Sequence, residues 1–437
     1  MQELLIRSAR LIDPADGTDE PGDLLIAGGR IVRAGGRINR PGVPALDARG
    51  LVAAPGLIDM HVHLRDPGQT EKEDVFSGCR AAAAGGVTAL LCMPNTAPPL
   101  DTPEAVAALR ERAAAADARV YIAAAVTKGL QSREAADWRA LREAGASALS
   151  DDGRPVAEPA LMAAALRAAP GLGLAVCAHC EEPSLSAGGK VHEGEISRAL
   201  GVRGIPAAAE DCGTAWVVAL AAAYHAPVHI CHVSTEASVA LIRWAKSRGV
   251  PVTAETAPHY FSLTERELLK RDADYRMSPP LRPESDRQAV IEGLRDGTID
   301  AIATDHAPHT PREKADFLAA PNGVIGMETS LAAGITFLVE PGLLTLPRLL
   351  GLMSASPARL LGLPLGTLRP GAPADAVLFD PREPWTVDPQ KLHGRSRNAV
   401  FKGRRLTGKV KCTVCRGRIT YRDETIRITG LEDKNGV

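Results

Sequence analysis

Residues 54–64 read APGLIDMHVHL, and this stretch decides the fold. The apolar run from Leu57 to Leu64 predicts a buried strand. The Pro-Gly pair before it marks a change in the pattern of predicted secondary structure along the chain. His61 and His63 are two residues apart, so both imidazoles point to the same face of this strand. The strand therefore ends in two side chains that can bind one cation.

Downstream of this strand, short buried runs alternate with alanine-rich helical stretches at residues 103–118, 159–169 and 237–248. That alternation is typical of βαβ units around a parallel sheet. Eight strands are predicted, at residues 57–64, 87–93, 120–126, 146–150, 174–180, 228–233, 252–256 and 301–305. An α/β chain with a (β/α)8 TIM-type barrel over residues 54–360 is the expected fold, with its active site where the strands end.

The two ends of the chain have another texture, in which short strand-like segments lie between Gly and Pro turns. Strands are predicted at residues 4–6, 23–27, 30–34 and 409–421. We predict that residues 1–53 and 361–437 together form one small β-sandwich domain beside the barrel. Residues 432–437 are expected to be a frayed tail.

The composition excludes several classes of protein. Lys and Arg number 51 against 52 Asp and Glu, which predicts no general affinity for nucleic acid or for an anionic membrane. The uncharged runs at residues 81–100 and 215–235 are interrupted by Gly, Pro or His, so neither predicts a membrane helix. The first residues are charged, and the eight cysteines lack disulfide-type spacing. We expect a soluble, cytoplasmic protein.

Possible metal ligands follow the predicted strands 1, 4, 5, 6 and 8. Burying so many polar groups without partners would be costly, and imidazole with carboxylate suits Zn²⁺, although Mn²⁺ or Co²⁺ could use the same donors. The number of donors is sufficient for two ions with a bridging carboxylate. The seven candidates are His61, His63, Asp151, Asp152, His179, His232 and Asp305.

This set of donors predicts a hydrolase. A bound metal lowers the pKa of its water to about 7 in zinc hydrolases and polarises a substrate carbonyl. Asp305, at the end of strand 8, is the candidate that both ligates and accepts the proton of the water, and then passes it to a leaving nitrogen.

Residues 55–63, PGLIDMHVH, resemble the amidohydrolase superfamily signature PGxxDxHxH. Longer motifs resemble one family within it, the bacterial type I dihydroorotases, and they extend over essentially the whole chain. These motifs are HLRDPG at 63–68 followed by residues 71–74 and 77–78, MPNT at 93–96, PPLR at 279–282, ATDHAPH at 303–309 with Lys314, and residues 322–323 with 328–329.

The resemblance implies reversible hydrolysis of L-dihydroorotate to N-carbamoyl-L-aspartate in pyrimidine synthesis, by attack of a metal-bound hydroxide. It implies two zinc ions, one on His61, His63 and Asp305 and one on His179 and His232, with Asp152 bridging them. It also implies a substrate site whose carboxylate is bound by Arg65, Asn95 and His309, beside the metal ligand His63, and whose ring contacts the backbone of Asn322 and Gly323.

Two departures qualify the resemblance. Many relatives have Asn where this chain has Ser278, so the substrate contact expected there is made by a side chain with a shorter reach. Hydantoinases and allantoinase place a carboxylated lysine on strand 4, whereas residues 146–152 contain no lysine, so an aspartate bridge is expected. The alternatives are a hydantoin or allantoin hydrolase, and an inactive homologue that scaffolds aspartate carbamoyltransferase. A homo-oligomer and a complex with that transferase are expected.

Overall fold

The computed structural model describes residues 3–430, so the predicted tail at 432–437 lies outside the described residues. Eight parallel strands are hydrogen-bonded to one another in their order along the chain. Strands 1 to 8 are Leu57–Val62, Val87–Cys92, Arg119–Ala124, Ala148–Leu149, Ala175–Ala178, Val228–Ile230, Val252–Thr256 and Ala301–Ile302. A backbone bridge between Val62 and His306 joins the last strand to the first, and the predicted barrel is confirmed.

Each barrel strand is followed by a helix that covers the outside of the barrel. The eight helices are Val75–Ala84, Pro103–Ala113, Trp138–Ala144, Pro159–Ala168, Ala208–Tyr224, Glu236–Ser247, Glu284–Asp296 and Leu346–Met353. Side-chain caps set several of their starts: Asp74 accepts from the backbone of Ser77, and Thr102 caps a helix with Pro103 at its first position. The helix predicted at 103–118 ends at Ala113, because residues 114–118 turn the chain back into strand 3.

Shorter helices lie in the loops between these units. They are Pro183–Ser186, Glu195–Leu200, Pro258–Ser262, Ser330–Gly334 and Ala355–Leu360. A two-stranded ribbon, Val191–His192 with Gly204–Ile205, lies in the long connection between strand 5 and its helix. None of the helices within residues 3–430 is both long and apolar enough to cross a membrane.

Strands from both ends of the chain share one sheet. Its members are Glu3–Asp13, Thr18–Ala27, Arg30–Ala34, Ala45–Asp47, Val52–Pro55, Ala376–Thr386, Arg405–Cys415, Arg418–Arg422 and Ile428–Thr429. Val52–Pro55 joins the two ends, because it pairs in parallel with Glu3–Asp13 and antiparallel with Ala376–Thr386. One core contains Leu4 and Leu24 together with Leu378 and Val414. The predicted small β domain from both termini is confirmed.

The barrel begins directly after this shared sheet, at Gly56. A Cβ atom at this position would lie 2.1 Å from the Thr88 Oγ1, so that only glycine allows strand 1 and strand 2 to approach here. The domain bounds themselves, 1–53 with 361–437 and 54–360, stay a prediction.

Candidate active site

The two histidines of strand 1 meet two carboxylates inside the mouth of the barrel. The His61 Nε2 lies 3.1 Å from the Asp152 Oδ1, and the His63 Nε2 lies 3.1 Å from the Asp305 Oδ1. Asp152 follows strand 4 and Asp305 follows strand 8, so that the barrel brings together residues far apart in sequence. All four side chains are buried.

The remaining two candidate histidines also lie close to Asp152. The His179 Nδ1 is 2.8 Å from the His232 Nε2, and both atoms are 3.5 Å from the Asp152 Oδ1. Asp152 thus lies between the His61–His63 pair and the His179–His232 pair. We call these six residues the donor cluster: His61, His63, Asp152, His179, His232 and Asp305.

Asp151 does not take part in the donor cluster. Its carboxylate accepts hydrogen bonds from the backbone N–H groups of Val126 and Thr127, at 2.7 and 3.1 Å, and from the Thr127 hydroxyl. Strand position alone offered Asp151 and Asp152 equally as donors after strand 4, whereas the family resemblance indicated Asp152. The packing of strand 3 against strand 4 separates the two. Asp151 supports the loop, and Asp152 faces the other donors.

The donor cluster fits a divalent metal. The His61 Nε2 and the Asp152 Oδ1 are buried and, among residues 3–430, have no hydrogen-bond partner, although they lie 3.1 Å apart. Within the donor cluster, two sets of three donor atoms lie within 4.8 Å of one another, His61 with His63 and Asp305, and His61 with Asp152 and His232. Buried imidazole and carboxylate groups whose lone pairs converge in this way are typical metal ligands.

The protonation state of the carboxylates agrees with this role. Burial alone would raise the pKa of Asp305, but a hydrogen bond with His63 and the neighbouring imidazoles lower it to about 2. Burial opposes ionisation of Asp152 as well, and the imidazole of His61 with those of His179 and His232 holds its pKa well below the usual range. Both carboxylates are therefore ionised at neutral pH.

Each strand 1 histidine has its second ring nitrogen fixed by another side chain. The His61 Nδ1 lies 2.9 Å from the Glu255 Oε1, and the His63 Nδ1 lies 2.8 Å from the Asn95 Oδ1. Such contacts select the tautomer that leaves Nε2 free for a metal. Sequence reasoning missed Glu255, although an acidic residue at the end of the buried strand 7 is a usable signal.

A cavity of about 380 Å³ opens onto the donor cluster, and it brings together all the predicted substrate residues. These residues are His63, Arg65, Asn95, Ser278, His309, Asn322 and Gly323. The cavity also has walls that the sequence did not indicate: Gly153, Glu181, Ser186, Gly189, Ile205 and Ala307. Most of these come from the long connection after strand 5, where neither periodicity nor a motif marks a site.

Arg65 supplies a buried positive charge to this cavity. Its Nε donates to the carbonyl oxygen of Pro308 at 3.2 Å, and burial lowers the pKa of the guanidinium. Within residues 3–430, no carboxylate lies within 4.0 Å of this group. A buried cation without an ion-pair partner favours an anionic ligand.

His309 lies beside Arg65. Its Nε2 lies 2.8 Å from the carbonyl oxygen of Asn322 and 3.3 Å from the Arg65 Nη2, so the ring is held between a hydrogen-bond acceptor and the guanidinium. Burial, together with the charge of Arg65, lowers the pKa of His309 to about 3, and the ring is neutral. Gly323, the residue after Asn322, has a φ of +143°. A Cβ atom at this residue would lie 2.7 Å from the carbonyl oxygen of Ala307.

Ser278 lies at the cavity wall, but its contact is with another side chain of the protein. Its Oγ is 3.5 Å from the Glu181 Oε2, and the other oxygen of Glu181 accepts from the Ser186 hydroxyl at 2.5 Å. The Asn322 side chain is also engaged, because its Oδ1 accepts from Arg276 at 3.1 Å. Asn322 therefore offers backbone atoms to the cavity.

Comparison with known proteins agrees with this geometry. A sequence profile described as the amidohydrolase family matches residues 52–420. The dihydroorotase of Citrifermentans bemidjiense is 48% identical, over 96% of this chain and 99% of that protein. The dihydroorotase of Pelotomaculum thermopropionicum is 46% identical, over 97% and 100%. Among solved structures, the L-hydantoinase of Arthrobacter aurescens has a TM-score of 0.84 at 25% identity, over 97% and 96%.

The barrel fold is thus shared with a hydantoinase, whereas almost half of the residues are shared with dihydroorotases. The match covers both the barrel and the β domain, so it includes every element that lines the cavity. The chain belongs to the amidohydrolase family, and within it to the dihydroorotases.

Proposed function

We propose that this protein catalyses the reversible hydrolysis of the cyclic amide of L-dihydroorotate to N-carbamoyl-L-aspartate, a step of pyrimidine synthesis. The observation that carries the proposal is Arg65, a buried guanidinium beside the donor cluster that has no carboxylate partner in the described part of the chain. A substrate that carries one carboxylate next to a cyclic amide satisfies both features at once.

We propose two zinc ions as the cofactor. His61, His63 and Asp305 would hold one ion, and His179 and His232 the other, with Asp152 between them. The distances within the donor cluster support this assignment, because Asp152 lies within 3.5 Å of a nitrogen of each of the four histidines. When bound, zinc supplies a Lewis acid that polarises the amide carbonyl and lowers the pKa of water.

Asp305 is the proposed catalytic base and acid. It lines the cavity, and its low pKa keeps it ionised and able to accept a proton when the water attacks. The same carboxyl group then gives that proton to the ring nitrogen as the amide bond breaks. In the reverse direction the proton moves the other way.

Arg65, Asn95 and His309 are the proposed ligands of the substrate carboxylate. The Asn95 Oδ1 is engaged by His63, so that its amide N–H group is the one free to donate to an anion. Ser278 and the backbone of Asn322 and Gly323 would contact the ring. A neutral hydantoin gives this set of donors nothing to bind, which argues against a hydantoinase despite the shared fold.

Turnover of L-dihydroorotate, hydantoin and allantoin should be compared on one purified sample whose metal content is measured. We expect dihydroorotate to be the preferred substrate, with about two zinc ions per chain. Faster hydrolysis of hydantoin would overturn the assignment. A sample without metal and without activity would favour the scaffold alternative, against which the complete donor cluster argues.

We further propose a cytoplasmic homo-oligomer that associates with aspartate carbamoyltransferase through the loop after strand 8, residues 308–323. This loop carries His309 and forms part of the cavity wall, so a partner bound to it would change activity. Activity that is the same with and without the added transferase would contradict the association as a functional one.

A further inference from the structure

A segment of the C-terminal part of the chain crosses the active-site loops. We call residues 393–398 the strap. They leave the β domain between two of its strands, Ala376–Thr386 and Arg405–Cys415. The backbone N–H of His393 donates to Glu328 at 2.7 Å, and the hydroxyl of Ser396 donates to the carbonyl oxygen of Lys72 at 2.7 Å. The strap therefore contacts the loops after strands 1 and 8.

Asn398, at the end of the strap, is hydrogen-bonded to the cavity wall. Its Nδ2 donates to the carbonyl oxygens of Ala307 and Gly323 at 3.1 and 3.0 Å, and its Oδ1 accepts from the backbone N–H of His309 at 3.2 Å. The side chain is 3% exposed. One amide thus holds both the first and the last part of the loop that forms this wall.

The groups that Asn398 holds are the ones proposed to bind substrate. Ala307, His309 and Gly323 all line the cavity. Arg65 donates to the carbonyl oxygen of Pro308, which lies between two residues that Asn398 fixes. The hydrogen bonds of Asn398 therefore fix the backbone at His309 and Gly323. Through the intervening Pro308, they also fix the carbonyl group to which Arg65 donates.

The strap also fixes the loop that follows Arg65. The backbone N–H of Arg395 donates to Glu73 at 3.1 Å, and its guanidinium pairs with Asp74. Glu73 is completely buried. Residues 393–398 therefore join the loop after strand 1 to the loop after strand 8, between which the substrate carboxylate would lie.

We propose that Asn398 is a positioning residue for substrate binding, through which a segment of the C-terminal part of the chain holds His309 and Gly323 in register with Arg65. The proposal rests on the proposed function for the identity of the substrate. Asn398 touches neither the donor cluster nor the reacting amide. Its loss should therefore weaken substrate binding and leave the chemical step almost unchanged.

The variants Asn398→Ala and Asn398→Asp test this proposal. Ala removes all three hydrogen bonds, and Asp keeps the acceptor for His309 but loses both donors. We expect KM for L-dihydroorotate, and the calorimetric Kd of its planar analogue orotate, to rise about tenfold in both variants, as for the loss of one or two net hydrogen bonds. We expect kcat to change by less than about twofold and the zinc content to stay the same.

Thr413→Val is the matched control. Its hydroxyl is completely buried, donates to the carbonyl oxygen of Ala83 at 2.7 Å, and joins the β domain to the barrel away from the cavity. We expect this variant to lose similar thermal stability with an unchanged KM. A wild-type KM and Kd in both Asn398 variants, a fall in kcat alone, or failure of both to fold would overturn the positioning role.

The two proposals fail in different ways. If the wild-type protein binds orotate but does not hydrolyse dihydroorotate, the proposed function fails, and a weaker Kd in the Asn398 variants still supports the positioning role. If the wild-type protein hydrolyses dihydroorotate and the Asn398 variants keep its KM and Kd, the positioning role alone fails.

Discussion

The donor cluster and the proposed carboxylate site, which consists of Arg65, Asn95 and His309, lie side by side but are held in place in different ways. The six members of the donor cluster lie at or just after the ends of strands 1, 4, 5, 6 and 8 of one closed sheet. The residues of the proposed carboxylate site lie on loops, and the backbone of His309 is fixed by Asn398, 89 residues later. A closed barrel places ligands directly, whereas loops need support from a distant part of the chain.

This difference predicts how each region responds to substitution. Changes in the donor cluster should affect the chemical step or the metal, because these residues contact both. Changes in the carboxylate site should affect KM first, because its residues contact a part of the substrate that does not react.

Asp305→Asn should have the largest effect. The amide cannot accept the proton from water, so we expect kcat to fall by about 10³-fold, within the usual range for loss of a general base. Metal analysis should show that much of the zinc remains, because His61 and His63 still ligate. Activity close to that of the wild-type protein would contradict the proton-transfer role of Asp305.

Arg65→Met should come next, and it tests the carboxylate site directly. Loss of a charge-assisted contact corresponds to about 1.5–3 kcal/mol, so we expect kcat/KM for dihydroorotate to fall about 10²-fold, mainly through KM. Arg10→Met is the control, since that exposed residue pairs with Asp19 on the β domain. A fall in kcat at constant KM would show that Arg65 acts on the reacting groups and not on the substrate carboxylate.

Glu255→Gln should affect the metal more than the substrate. Glu255 orients His61 by its contact with the Nδ1 of that imidazole. Loss of such a contact typically lowers metal affinity or activity about 10- to 100-fold. We therefore expect about tenfold weaker zinc binding and an unchanged KM. Competition with a chelator measures the affinity. The control is Glu284→Gln, whose exposed ion pair with Arg287 lies far from strand 1. Equal zinc affinity in both variants would show that Glu255 does not support metal binding by His61.

The smallest effect concerns pH and the strap. The hydrogen bond to Glu328 raises the pKa of His393, so that the charged form stabilises the folded state. This contribution is complete below the unfolded pKa of about 6.5 and is lost as the pH rises through the folded value. Because the side chain is 44% exposed, we expect only a few tenths of a kcal/mol.

Denaturant unfolding of the wild-type protein and of His393→Gln at several pH values between about 5 and 9 measures this contribution. We expect the difference in stability between the two proteins to shrink as the pH rises. A difference that is constant over this range would show that His393 contributes no proton-linked stability to the attachment of the strap.

The barrel and the positions of the candidate donors could be predicted because both depend on patterns that extend over a few neighbouring residues. Each of the eight strands is an apolar run between helical stretches, and the side chains His61, His179 and Asp305 stand at their ends. Parallel strands that close into a barrel must bring those ends together. Strand position alone did not distinguish Asp151 from Asp152, since adjacent residues carry the same chemistry. The family resemblance indicated Asp152, and in the structure Asp151 is hydrogen-bonded to Thr127.

The sequence by itself determined the fold class and the strand ends at which candidate donors lie, because strand periodicity acts over a few residues. The family resemblance then indicated which of these donors, and which residues of the proposed carboxylate site, to expect. The tertiary structure decided which side chains support them. Glu255 reaches His61 across the inside of the barrel, and Asn398 reaches His309 from the far end of the chain. Such contacts join residues that are separated by 194 and 89 positions, and no local pattern records a pairing over that distance.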